Sequence, residues 1–140
     1  MEENKLSFIV PGQPQAKQRP RWSGHHMYTA KETVTFETYI KEMFVISYPD
    51  FVPLEGALRM TVIAYMMIPK STSKKRMKLM IDRVIRPTKT PDADNVLKTT
   101  FDALGKGLAY KDDKQIVTCI CHKYYAIRPR LEIEITGAKI

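Results

Sequence analysis

The apolar residues of this chain change their spacing several times between its ends, and that change of period restricts the fold more than any other feature. Leu58, Met60, Val62, Ala64 and Met66 alternate with Arg59, Thr61, Ile63 and Tyr65, the pattern of a strand, which Pro69 stops. Leu131, Ile133 and Ile135 alternate with Glu132 and Glu134 in the same way. Elsewhere the period lengthens. Val34, Phe36, Tyr39, Ile40, Met43 and Phe44 recur mostly at helical spacing behind Thr29-Ala-Lys-Glu32, which has the form of a capping box and predicts a helix from about Ala30 to Ser47. Ser71-Thr-Ser73 offers a cap for a short basic helix over Lys74–Val84, with Met77, Met80 and Ile81 on its apolar side. Asp94–Leu104 reads as a third helix, with Val96, Leu97, Thr100, Phe101 and Leu104 inward and Gly105 and Gly107 ending it. Leu6–Val10 is a first strand closed by Pro11-Gly-Gln-Pro14, and Gln15–His26 a basic loop. Ile116–Tyr125 and Leu131–Thr136 are expected to form a final antiparallel pair. The order β-α-β-α-α-β-β predicts an α+β fold with a mixed or mainly antiparallel sheet and helices packed on it. A length of 140 residues suits one domain, 1–140.

Charge narrows the partners. The chain has 23 basic and 15 acidic residues, a formal net charge of +8 that favours a polyanion. The surplus is concentrated: Lys70–Thr90 holds eight Lys or Arg and one acid, Asp82, while Asn4–Lys31 holds no acid and carries Lys17, Arg19 and Arg21 at alternate positions. With Lys74, Lys75, Arg76 and Lys78, these are the candidate phosphate contacts; the competing reading is a solvated helix face and loop. No apolar run approaches a membrane span, and the acidic start lacks the pattern of a secretory signal, so a cytoplasmic protein is expected. Cys119 and Cys121 would share one face of a strand and are expected to be buried free thiols.

Acids gather where the chemistry is expected. Asp92 and Asp94 flank Ala93 just before a helix, and in extended backbone residues two apart point the same way. Both carboxylates could then meet one hard cation, with Asp112 or Asp113 arriving from a later loop at the same end of the sheet. Against this, Asp94 suits an N-cap, Asp112-Asp113 suits a turn, and Lys98 suits an ion pair with Asp94 four residues before it. His25, His26 and His122 have no matching partners for base chemistry and read as surface or structural. Trp22 and Tyr28 fit the fold better than a stacking role.

The run Thr88-Lys-Thr-Pro91-Asp92-Ala-Asp94-Asn95-Val-Leu-Lys98-Thr-Thr-Phe101-Asp102-Ala-Leu104, followed by Tyr110-Lys-Asp112-Asp113-Lys-Gln115-Ile-Val117, closely resembles the RusA family of Holliday-junction resolvases. Lys17-Gln-Arg19-Pro20-Arg21 and Pro69-Lys-Ser-Thr-Ser73-Lys-Lys-Arg76 also resemble the family, so the likeness runs from Leu6 to Thr136. Ala93, where a larger aliphatic residue is frequent, is a small departure. The resemblance implies a homodimeric, Mg²⁺-dependent endonuclease, with Mn²⁺ as a substitute, that nicks paired strands of a four-way junction in recombination and repair. Phage or prophage genes often encode such proteins. It assigns the metal-binding acids to Asp92, Asp94 and Asp113 and the helix lysine, which would offset charge at the phosphate, to Lys98. Two rivals are a less selective branched or flap DNA nuclease and a non-catalytic DNA-binding protein whose acids only cap helices. A nucleotide-sugar transferase is disfavoured, because the chain is short and its basic surplus would be unexplained.

Overall fold

A computed structural model of the chain describes residues 5–15, 21–23, 26–28 and 31–138, with side chains described outside 21–35. The Thr29 cap, Lys17, Arg19 and His25 therefore lie outside the described residues, as do the side chains of Arg21, Trp22, His26 and Tyr28.

Both period-2 segments form strands, and they sit side by side at the centre of the sheet. β1 (Lys5–Pro11), β4 (Leu58–Met67), β5 (Ile116–Ala126) and β6 (Arg130–Gly137) make a four-stranded sheet in the order β1-β6-β4-β5. β6 runs antiparallel to both β1 and β4, whereas β4 and β5 are parallel. The expected pairing of the last two strands is therefore corrected. β5 and β6 do run in opposite directions, but β4 lies between them and residues 127–129 step across its end. The stretch Gln15–His26, expected as a basic loop, contains the strand β2 (Arg21–Ser23), which pairs antiparallel with β3 (His26–Tyr28) at its end.

Alternation fixes which face is buried. Val62 lies opposite Ile133, Ala64 opposite Leu131 and Met60 opposite Ile135, and all six are buried. Phe8 of β1 faces Ile133 from the other side. Two helices cover this face: α1 (Lys31–Ser47) packs on β1 and against α3 (Ala93–Leu104), which lies on β4 and β5. Phe44 stands edge-on to Phe8 and Phe51, with ring centres 5.4 and 5.3 Å apart. Tyr48 hydroxyl donates to the Ser7 carbonyl and accepts from its N–H, tying the end of α1 to the edge strand.

α2 (Lys74–Ile81) begins at Ser73, whose hydroxyl accepts from Arg76 N–H, as expected. It stops three residues earlier than the apolar pattern suggested. Arg83 adopts φ 68°, the left-handed conformation that commonly terminates a helix, and Val84 and Ile85 N–H turn back to the Leu79 carbonyl. Cys119 and Cys121 are free, but only Cys121 packs against the core, while Cys119 is exposed because β5 is an edge strand. Burial pushes the Cys121 thiol up to about 11, so it is protonated at neutral pH.

The central position of Ile133 gives a direct test. Ile133→Ala removes a side chain packed on both flanking strands and is expected to cost about 2–5 kcal/mol in urea unfolding. Ile9→Ala, at a half-exposed position of β1, should stay within about 0.5 kcal/mol.

Candidate active site

Parallel neighbours cannot be joined by a tight turn, so the chain leaves β4, forms α2 and α3, and returns to start β5. All four candidate chemical residues lie on this crossover. The backbone of Asp92 provides the N-cap of α3: it is extended, and its carbonyl accepts from Val96 N–H. The expectation of Asp94 as the cap is corrected, since Asp94 already sits in the first helical turn. The extended two-apart argument therefore does not apply, and the acids are set by the start of a helix instead. The Asp92 carboxylate makes no capping hydrogen bond, and both acids are exposed. They stand at the positive end of the helix, where a negative charge is favoured. Lys98 is exposed one turn further along, and no ion pair joins it to Asp94 among the described residues.

Two features hold α3 in place below these groups. Val96, Ala103 and Leu104 enter the core, while Thr99 and Thr100, both buried, return their hydroxyls to the Asn95 and Val96 carbonyls. At the other end Gly105 closes the helix.

Asp113 belongs to that other end. A Cβ at Gly105 would collide with the Asp113 carboxylate and crowd the Phe101 carbonyl and the Tyr110 hydroxyl, so the missing side chain makes the room that Asp113 occupies. Tyr110, fully buried, donates its hydroxyl to Asp113 Oδ1 at 3.2 Å. Burial first, then the charge of Asp113, holds the Tyr110 phenol far above its ordinary range, which keeps it a donor. Asp112 behaves differently. Its carboxylate accepts from Lys114 N–H, and Gln115 closes a capping box around the 3₁₀ turn Asp113–Gln115. The turn reading therefore describes Asp112. Gln115 fixes the whole loop: its Oε1 accepts from Lys111 and Asp112 N–H, and its amide donates to the Leu54 and Gly56 carbonyls.

The expectation that the three acids meet at one end of the sheet is not met within this chain. Asp94 and Gly105 are separated by eleven residues of helix, about 16 Å of rise. Among the described residues no three acids, histidines or cysteines gather closely enough to hold a metal.

Of the expected phosphate contacts, Lys74, Lys75 and Arg76 project from α2 into solvent, while Lys78 is paired with Asp82 at 3.0 Å. The residue-type patterns missed a further basic cluster. Arg83 and Arg86 stand over the ring of Tyr124, 4.1 and 4.5 Å from its centre, His122 stacks on the same ring, and Arg130 lies 3.9 Å from the centre of Tyr65. Its only sequence signal is alternation: Tyr124 and His122 fall on one face of β5, and Tyr65 on the same face of β4.

Compared with known protein families, residues 11–136 match a class of enzymes that cut DNA strands internally, the endodeoxyribonucleases. Within that class the chain belongs to the RusA family, whose profile, Endodeoxyribonuclease RusA, spans nearly all of it. It is also 35% identical over 136 residues to the uncharacterized protein YqaN of Bacillus subtilis (strain 168), covering 93% of this chain and 94% of that protein. No helix among the described residues is long and apolar enough to cross a membrane.

The packing around Asp113 predicts coupled effects. Gly105→Ala should cost about 1–3 kcal/mol through the forced displacement of Asp113. Tyr110→Phe should cost about 0.5–1.5 kcal/mol for the lost hydrogen bond. Because both act on one carboxylate, the double variant should lose less than the sum when the three are compared by chemical unfolding.

Proposed function

We propose that this endodeoxyribonuclease is a Mg²⁺-dependent, homodimeric enzyme that resolves four-way DNA junctions by paired nicks. The observation that carries the reading is the helix start: two exposed carboxylates, Asp92 and Asp94, with Lys98 one turn on, in a protein of net charge +8 whose family cuts DNA. The donor set fits the ion. Mg²⁺ prefers oxygen ligands and commonly takes one or two carboxylates plus a substrate phosphate, which is what α3 offers at its exposed end. Asp92 and Asp94 would hold it. When bound, the ion supplies positive charge to the phosphate and makes a nearby water more acidic. Mn²⁺ would substitute.

The chain's own groups do the rest. Lys98 would bind the reacting phosphate and offset its developing charge, and Asn95 would orient the water. α2, through Lys74, Lys75 and Arg76, would hold flanking phosphates without reading bases, a task shared by Lys17, Arg19 and Arg21. Lys78 would add less, because Asp82 already neutralises part of its charge.

A two-fold dimer supplies what one chain lacks. α3 runs opposite to β5: its first turn lies towards the Lys123 end, where Lys123 reaches the Lys89 carbonyl, and Gly105 lies towards the Ile116 end beside Asp113. Among the described residues β5 leaves one edge unpaired, with Val117, Cys119 and Ile120 exposed along the strand. A second copy joined antiparallel along that edge would bring the partner subunit's Asp113 towards Asp92 and Asp94. Two such composite sites related by a two-fold axis suit a junction cut on two strands.

A labelled four-way junction incubated with Mg²⁺ or EDTA, beside Asp94→Asn, tests the reading. Paired nicks near the branch point should appear only with the wild-type protein and Mg²⁺, while the variant keeps binding. Junction binding unaltered by the substitution and never followed by cleavage would leave a DNA-binding protein instead. Equal cleavage of flaps, three-way junctions and linear duplex would leave a less selective nuclease.

A further inference from the structure

A groove of about 530 Å³ opens between the start of α2 and the loop that leads to Asp92. Three cations reach it from two separate elements: Arg76 from α2, and Arg86 and Lys89 from the loop. Ser71, Ser73 and Tyr125 add hydroxyls, and among the described residues no carboxylate lines it. From this, we propose that the groove is the track for the phosphates that flank the cut on the DNA strand being cleaved, with Arg76, Arg86 and Lys89 as its contacts. The proposal rests on the nuclease reading and adds the path of the strand.

The loop is held, which separates it from an ordinary solvated basic surface. Arg86 Nε donates to the Lys123 carbonyl at 3.0 Å, and its guanidinium lies over the Tyr124 ring. Lys123 Nζ donates in turn to the Lys89 carbonyl at 2.6 Å. Both ends of the 86–89 segment are thereby anchored to β5. Fixing the backbone beforehand lowers the ordering cost when an anion binds. The remaining guanidinium N–H groups of Arg86 stay available, and Arg76 is exposed on the facing helix. Arg, Lys and hydroxyl side chains are the usual donors to phosphate oxygens.

Position sets the distance from the cut. Lys89 precedes Asp92 by three residues, a reach of at most about 10 Å of extended chain. Phosphates on one strand of a duplex rise about 3.4 Å each along the axis, so the groove serves phosphates within about three nucleotides of the one at Asp92 and Asp94.

The test measures binding alone. A fluorescent four-way junction is titrated with the full-length protein in EDTA across a salt series, comparing the wild type, Arg76→Ala/Lys89→Ala and Lys41→Ala, which lies on the distant helix α1. Each lost phosphate contact should make the slope of log K against log salt shallower by about 0.9, so the double variant should fall by about 1.8 and bind at least tenfold more weakly at low salt. Lys41→Ala should match the wild type. Neutral methylphosphonate linkages placed within three nucleotides of the cut should weaken the wild type more than the double variant, which keeps only Arg86 of the three contacts. Retained slope in the double variant, or an equal penalty from the neutral linkages in both proteins, overturns the groove. A wild type that binds with the expected slopes yet never cleaves when Mg²⁺ is added would sink the nuclease reading and leave the groove standing.

Discussion

The parallel pairing of β4 with β5 is the constraint on which the rest depends. Adjacent parallel strands require a crossover, and in this chain the crossover carries α2, α3, both acidic loops and the basic groove. The remainder of the sheet provides a floor. β6 and β1 extend it by antiparallel pairing and bury Leu131, Ile133 and Ile135 beneath α1 and α3. Because α3 is seated through Val96, Ala103 and Leu104, its opposite face stays in solvent, and that face presents Asp94 and, one turn on, Lys98, with Asp92 exposed at the cap. Core and candidate site are therefore two faces of one helix.

α3 is also a spacer. It holds Asp92 and Asp94 at one end and the Gly105–Tyr110–Asp113 cluster at the other, and nothing in the packing permits the two ends to approach within one chain. Each end is nonetheless built with care: Tyr110 and the absent side chain of Gly105 position Asp113, and Gln115 locks its loop to residues 54–56. A carboxylate fixed so firmly and yet exposed is consistent with use across a subunit boundary. The exposed apolar edge of β5, which a monomer would leave as an aggregation hazard, is the surface that the proposed dimer would cover.

Much of the fold was legible in the periods. The strands at Leu58 and Leu131 and the helices ending at Ser47 and Leu104 follow from apolar spacing and from glycine and proline stops. The order of strands was not legible, because a short link such as 127–129 normally means a hairpin and only the crossover reveals that β4 intervenes. The residue types of the site could be read, and the likeness to the RusA family rested on them, but their arrangement could not. Asp-x-Asp spacing does not say whether the backbone is extended or has already entered a helix, and the shift of the N-cap from Asp94 to Asp92 decides it. The length of α3 was predictable, yet its consequence for Asp113 depends on where the following loop folds. The Arg83, Arg86 and Tyr124 cluster escaped notice because its members are distant in sequence and meet only through strand register and a left-handed turn at Arg83.

Whether the acids are reunited between subunits can be measured by mixing two inactive proteins. Asp94→Asn and Asp113→Asn chains, carrying different tags, are co-expressed and the mixed species isolated through both tags. If the site is shared, a mixed dimer contains one site with both acids intact and one with neither, so it should nick a four-way junction on one strand while each parent remains inactive. A mixed dimer as inactive as its parents, beside a wild type that cleaves, would contradict the account and place all the required acids within a single chain.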